Sequence, residues 1–257
     1  MATRAQRSTS FGIVAAEYDR LRPPPADAAV DWLVPGGRRD ALVDLGAGTG
    51  LLTRALASRA THVIAVEPDE RMREYLRARS PGVEVVDGRG EQIPLPDAAA
   101  DGVYAASAWH WMDQVRTAAE VARVVRDHGR LGLIWTTRES GIPWIRAHEW
   151  FREAYQEARP SEVAEPRDAE GRRLVLLPEG SPFAHIETAT FRYSRPMTPA
   201  AIVDMLTTYS AVITADPEFV ARGRARGVAA LAAEFPGADV IDLPVRSYCW
   251  RADRTGR

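Results

Sequence analysis

A chain of 257 residues, 46% hydrophobic and 26% charged, can form one α/β domain with a substantial core or two small ones, and its composition is ordinary for a soluble globular protein. A formal net charge of −2 excludes global attraction to nucleic acid or to an anionic membrane. The single cysteine, Cys249, excludes an internal disulfide and a multi-cysteine metal centre, and no apolar run is long enough to span a bilayer. No signal peptide is expected, because the arginines of Met1 to Ser10 are not followed by an apolar core. A cytoplasmic setting is the simplest expectation. Lysine and asparagine are both absent, so arginine clusters are expected on ordinary solvated faces.

After the polar first ten residues, Phe11, Val14, Ala15, Tyr18 and Leu21 recur at helical spacing until Arg22-Pro23-Pro24-Pro25 breaks the pattern. Ala26 to Val34 reads as a second helix, closed by Pro35-Gly36-Gly37. Ala41-Leu42-Val43 predicts a short buried strand. It runs through Asp44-Leu45 into Gly46-Ala47-Gly48-Thr49-Gly50, and a helical pattern starts at Leu51. Glycines in a strand-to-helix turn let the backbone turn tightly and approach a ligand. The dinucleotide fingerprint requires glycine at the sixth position of such a turn, where this chain has Leu51. Asp44 at the strand end would repel a pyrophosphate and suits a cationic ligand. Thr61 to Val66 is a second apolar strand, and it delivers Glu67, 21 positions after Gly46, close to the spacing of a ribose-binding carboxylate. A ribose carboxylate, a cation-friendly turn and no phosphate fingerprint together point to S-adenosylmethionine.

With Ala65-Val66-Glu67-Pro68-Asp69-Glu70-Arg71-Met72 added, these residues resemble the first two motifs of class I S-adenosylmethionine-dependent methyltransferases. The resemblance implies an α/β fold, a Rossmann-like seven-stranded sheet of order 3-2-1-4-5-7-6 with strand 7 antiparallel, carrying helical cap insertions. It implies one domain over 1–257: an N-terminal helical segment over 1–36, a cofactor-binding core over 40–137, caps over 141–183 and 197–238, and last strands over 184–195 and 240–251. Asp44 with Gly46, Ala47, Gly48 and Gly50 would hold the methionine part of the cofactor, and Glu67-Pro68 the ribose. Met72 would either face the adenine or pack in the core. Tyr18-Asp19-Arg20-Leu21-Arg22-Pro23 resembles the family's Tyr-Asp-x-x-Arg-Pro pattern. Tyr18 and Arg22 would then face the cofactor carboxylate or close over the substrate, the alternative being a solvated surface helix.

Asp69 to Arg79 reads as a helix, and Val83 to Val86 as the third strand. Gly88, Glu91, Ile93 and Pro94 resemble the family's next motif, with backbone groups of Gly90 and Glu91 available to the adenine edge, while Arg89 departs from the usual acidic residue. Asp101 to Ser107 is the fourth strand. It opens into Ala108-Trp109-His110-Trp111-Met112-Asp113, at the carboxyl edge where open α/β sheets bind ligands. This stretch resembles the Ala-x-x-His-Trp-Phe-Asp signature of a small-molecule branch that includes trans-aconitate methyltransferases. Ser107 belongs to the cofactor side, and Trp109 and Trp111 form an expected aromatic substrate wall. His110 would be a general base, a substrate-orienting group or a residue that fixes the turn.

Asp113 is expected to cap a helix over Gln114 to Val125, ended by His128-Gly129, before a fifth strand over Arg130 to Thr136. Pro143 to Ala158 is amphipathic, and Arg159 to Arg173 reads as a mobile polar segment. His185 to Tyr193 is a strand, Pro199 to Ile213 and Pro217 to Phe235 are helices, and Leu243 to Trp250 is the last strand. Tyr209 is a further substrate-pocket candidate. Arg222-Gly223-Arg224-Ala225-Arg226-Gly227 reads as a solvated helix face. The five histidines lack metal-ligand spacing.

The expected activity is methyl transfer from S-adenosylmethionine to an O, N or C nucleophile of a small organic molecule, leaving S-adenosylhomocysteine. No metal, nucleic acid or membrane partner is expected, and the protein would be a monomer or homodimer. The alternatives are a nucleic-acid methyltransferase and a non-methylating protein on the same fold.

Overall fold

The computed structural model describes residues 11–36, 39–139, 141–154 and 173–256. Its seven strands form one sheet of order β3-β2-β1-β4-β5-β7-β6, with β7 antiparallel, as the resemblance implied. The strands are β1 (Arg39–Leu45), β2 (Ala60–Val66), β3 (Glu84–Val86), β4 (Ala100–Ala106), β5 (Val125–Arg138), β6 (Phe183–Met197) and β7 (Ile241–Arg254). The described helices are α1 (Ala15–Leu21), α2 (Asp27–Leu33), α3 (Leu51–Ala57), α4 (Glu70–Arg79), α5 (Gln114–Val124), α6 (Ala147–Trp150), α7 (Pro199–Thr207), α8 (Ser210–Ile213) and α9 (Pro217–Glu234). Tight 3₁₀ turns cover Phe11–Val14 and Trp109–Trp111.

The chain divides into two compact units. One comprises Pro24–Thr136, Glu165–Arg192 and Arg246–Arg257, and the other Met1–Pro23, Thr137–Ala164 and Tyr193–Val245. The expected N-terminal segment is therefore split at Pro23/Pro24, with α1 in one unit and α2 in the other.

The first unit carries the glycine turn. β1 pairs in parallel with β2 on one side and β4 on the other, so Asp44 lies opposite both Ala65 and Tyr104. Three buried residues at its end, Val43, Asp44 and Leu45, have no exposed surface, as a central strand covered on both faces requires. Asp69 N-caps α4 by accepting from the amides of Arg71 and Met72, and Asp113 caps α5 through Val115 and Arg116. Helix α5 ends at Val124, earlier than His128-Gly129 suggested. Val125 is wholly buried, and Arg254 binds both its carbonyl (2.8 Å) and the Asp127 carboxylate (2.6 Å). Residues 125–129 are thereby held in β5, where the pairing with β4 shifts between Ala100 and Gly102 and His128 takes a left-handed φ of 63°.

The second unit packs around Trp150, Phe151, Ile202, Val203, Met205, Leu206 and Leu231. Pro199 to Ile213 is two helices rather than one. Arg22 takes the hydroxyl of Thr208 from Nε and its carbonyl from Nη2, both at 2.9 Å, and Tyr209 is extended at the break. The Arg-Gly stretch lies in α9. A side chain at Gly223 would strike Phe151 at 2.7 Å, and one at Gly227 would strike Trp150 at 2.8 Å. Arg222 and Arg224 are paired with Glu218 and Asp204, so this face carries balanced charge, in line with the solvated-face reading. Among the described residues the amphipathic run at Pro143 is helical over Ala147–Trp150 and again at 152–154, and the segment expected to be mobile lies outside them except for Arg173.

Two glycines of the turn serve different ends. Gly46 has φ 67°, and a Cβ there would lie 2.6 Å from the Cβ of Ala108, so β1 and the segment after β4 approach as closely as they do only because Gly46 lacks a side chain. Gly48 has φ 57°, and a Cβ there would meet nothing within 4 Å. Gly48→Ala should therefore cost only the left-handed backbone penalty, about 1–2 kcal/mol. Gly46→Ala should cost that and an overpacking penalty of roughly 1–3 kcal/mol. Denaturant titration of the two variants checks the order; equal losses would show that Ala108 yields to the added methyl.

Candidate functional site

The turn after β1 is hydrogen-bonded to the end of β2. Gly46 and Ala47 donate to the Val66 carbonyl, at 2.8 and 3.2 Å. Gly48 donates to one oxygen of Glu67 (2.9 Å) and Asp69 to the other (2.9 Å). Each Glu67 oxygen thus accepts one backbone N–H and keeps further lone-pair capacity, which is what two ribose hydroxyls would use. Glu67 is 7% exposed, and burial raises its pKa against these two hydrogen bonds. Pro68 beside it is exposed. Arg73, which the sequence reading passed over, donates to the carbonyls of Glu67 (3.0 Å) and Pro68 (2.8 Å) and pairs with Asp87 at 3.1 Å. Its signal was an arginine on the apolar side of α4, next to Met72 and one turn before Leu76. Met72 is itself buried, at 4% exposure.

Asp44 differs from expectation in how it can act. It has no exposed surface, so it lies beneath the turn instead of on its rim. Its Oδ2 accepts from the Thr53 hydroxyl at 2.6 Å, while Oδ1 is buried without a hydrogen-bond partner. Desolvation, with Glu67 nearby, pushes its pKa up to about 7 against the Thr53 bond. A positive group above the turn would favour the ionised form through the low-dielectric interior, without touching it. Thr53 was not singled out from sequence; a threonine on the buried face of the helix that follows the turn was the available sign.

The carboxyl edge of β4 supplies the rest. Ser107 holds a left-handed φ of 52° and donates its amide to Ile134 at 2.8 Å, anchoring the segment to β5. Non-glycine residues in this region carry backbone strain and concentrate at functional sites. The two-tryptophan wall reduces to one. Trp109 is 1% exposed within the main core cluster, with its indole N–H unpartnered there. Trp111 is half-buried and its ring lies 5.1 Å from that of His110. His110 Nδ1 accepts from the indole Nε1–H of Trp135 at 3.3 Å, and Trp135 stacks on Tyr248 at 5.9 Å. Trp135, near the end of β5, is a further residue the sequence reading did not mark; its position at the carboxyl end of a central strand was the clue. Gly90 is buried, and a Cβ there would lie 2.6 Å from Met112 Sδ. Glu91 uses its side chain to accept from the Asp113 amide at 2.8 Å, which ties this loop to the start of α5.

Asp44, the glycines, Ala47, Glu67, Pro68, Met72, Gly90, Glu91, Ser107, Trp109, His110 and Trp111 all belong to one compact unit. Tyr18, Arg22 and Tyr209 belong to the other, where they form their own cluster. The Arg22 guanidinium lies 5.0 Å from the Tyr18 ring centroid and 3.8 Å from that of Tyr209. Arg22 is thus engaged by two aromatic faces and by Thr208, and is not a solvated surface arginine.

A cavity of about 380 Å³ lined by His128, Arg130, His185, Asp253, Arg254, Thr255 and Gly256 is separate from these residues. Arg130 pairs there with Asp253, and Arg254 with Asp127, so its charges are balanced. Among the described residues no group of histidine, cysteine and acidic side chains could hold a metal, and no helix is long and apolar enough to cross a membrane.

A family profile described as a methyltransferase domain matches residues 43–133, from the end of β1 into β5. An uncharacterized methyltransferase of Mycobacterium tuberculosis is 36% identical over 255 residues, covering 97% of this chain and 98% of the relative. An uncharacterized methyltransferase-like protein of Schizosaccharomyces pombe is 30% identical over 205 residues, 78% of this chain and 77% of its own length. Among solved structures, one described as a type II methyltransferase from Anaeromyxobacter dehalogenans matches at a TM-score of 0.63 and 24% identity, over 91% of this chain and 97% of that one. The cyclase SpnF shares the fold at a TM-score of 0.53 and 16% identity, over 99% and 98%. With a relative this similar along nearly the whole chain, and with the sheet order and glycine turn in place, the chain belongs to the methyltransferase family.

Proposed function

We propose that this protein transfers a methyl group from S-adenosylmethionine to a small organic molecule at the carboxyl edge of β1 and β4. The observation that carries the reading is the pair of buried carboxylates around an open glycine turn. Asp44 has an unpartnered Oδ1 beneath the turn, Glu67 is fixed at its side by Gly48, and a Cβ at Gly48 would meet no atom of the described residues beyond its chain neighbours within 4 Å. This fits a ligand with a cationic end and a ribose, the two features of this cofactor. When bound, the cofactor supplies an electrophilic methyl group on a positively charged sulfur.

The chain's own residues do the remainder. Glu67 accepts from ribose hydroxyls with the capacity its two backbone bonds leave. Asp44 stabilises the positive charge of the methionine end by its field. The Gly90-Glu91 backbone, fixed by Glu91 to Asp113, borders the adenine side. Trp111 and His110 orient the acceptor, and an aromatic face also favours a sulfonium. Positioning of an acceptor in line with the methyl group accounts for most of the rate in such a reaction. The net charge of −2, with Arg222 and Arg224 of α9 paired to carboxylates, supports a small acceptor over a nucleic acid. The single cysteine is buried, which agrees with a reducing, cytoplasmic setting. Because SpnF, named as a cyclase, has the same fold, fold does not by itself give the chemistry. Formation of S-adenosylhomocysteine with small-molecule pools, against RNA and DNA, decides between methyl transfer to a small acceptor, methyl transfer to nucleic acid, and none.

Glu67→Ala should weaken binding of S-adenosylhomocysteine by 100-fold or more, taking two charge-assisted hydrogen bonds at about 1.5–3 kcal/mol each. Calorimetry on a folded variant with unchanged affinity would remove the assignment.

Asp44 gives a pH signature. An unfolded aspartate loses its proton near pH 3.9, whereas native Asp44 holds its proton to about pH 7. Between about pH 4 and 7 the native state binds more protons than the unfolded chain, so this group's contribution to stability falls as pH rises and levels off above 7. Asp44→Asn should therefore gain stability relative to the parent as pH is raised from 5 to 8, while losing roughly tenfold or more in cofactor affinity. Thermal melts across that range, paired with calorimetry, check both halves.

A further inference from the structure

The hydrogen bond between Trp135 and His110 fixes which ring nitrogen of His110 carries the proton. An indole N–H can only donate, and it points at Nδ1. Nδ1 must therefore be the bare nitrogen. In a neutral imidazole the single proton then sits on Nε2. The bond joins the carboxyl ends of two neighbouring strands. His110 follows β4 in the tight turn Trp109–Trp111, and that turn is anchored to β5 by Ser107 to Ile134, one residue before Trp135. Trp135 is in turn held by its stack on Tyr248, with rings 22° apart. The Trp111 ring lies 5.1 Å from that of His110.

We infer that Trp135 is a positioning residue that sets His110 as the Nε2–H tautomer, with Nδ1 kept as the acceptor of the indole N–H. The tautomer stands independently of the methyl-transfer reading.

Long-range ¹H–¹⁵N spectra of ¹⁵N-histidine-labelled protein at pH 8, without cofactor or substrate, test it. The His110 signal is identified among the five histidines by its loss in His110→Gln. The expected result is the Nε2–H pattern in the parent and a mixture of tautomers in Trp135→Phe. A second readout keeps the test independent of that variant's folding: the Trp135 indole proton should be shifted downfield in the parent and should lose that shift in His110→Ala. An Nδ1–H pattern in the parent, an unchanged tautomer in folded Trp135→Phe, or an indole proton indifferent to His110→Ala would each overturn the inference. None of these outcomes depends on cofactor affinity, so failure here is distinct from failure of the methyltransferase reading, which calorimetry with S-adenosylhomocysteine reports.

Discussion

The hydrogen bond from the Gly48 amide to Glu67 is the constraint on which the site depends. It closes the turn after β1 onto the end of β2, with Gly46 and Ala47 donating to Val66 beside it. Without it the turn would have amides to satisfy and a nearly buried carboxylate to solvate, both costly in an interior. With it, one bond sets the conformation of the glycine turn, the orientation of the carboxylate and the spacing between two parallel strands. Arg73 completes the arrangement by gathering the carbonyls of Glu67 and Pro68. The Glu67 carboxylate is thus held by backbone and charge, not left on a flexible surface residue.

Asp44 shows the converse situation. A carboxyl group with no exposed surface and one unpartnered oxygen is unfavourable in the isolated protein, and its raised pKa expresses that cost. Such a group persists where a bound charge compensates it. Positive φ clusters at the same edge: Gly46 and Gly48 adopt it freely in the turn, while Ser107 after β4 adopts it at the cost of backbone strain. Function here occupies the positions that folding alone would not favour.

On the acceptor side, the aromatic residues divide by depth. Trp109 supports from the core, Trp111 lies against His110, and Trp135 sets the histidine's proton. Tyr18, Arg22 and Tyr209 form a separate group in the other unit, where the Arg22–Thr208 bonds also end α7.

Local chemistry made much of this legible before the structure. The glycines of the turn, Asp44 at the strand end and Glu67 at its spacing are set by neighbours a few residues away, so they could be read from the chain, as could the cap Asp113; the order of the sheet came from the family resemblance. What sequence could not decide was set by partners far along the chain. Whether Trp109 or Trp111 faces inward depends on how the segment after β4 packs. The early end of α5 depends on Arg254, some 129 positions away from Val125, and the break after α7 on Arg22, 186 positions from Thr208. The burial of Asp44 and the proton on His110 likewise come from strands meeting side by side. Hydrophobic periodicity and turn chemistry act locally and are written in the sequence; burial, charge state and tautomer are properties of an environment that exists only once distant segments have packed together.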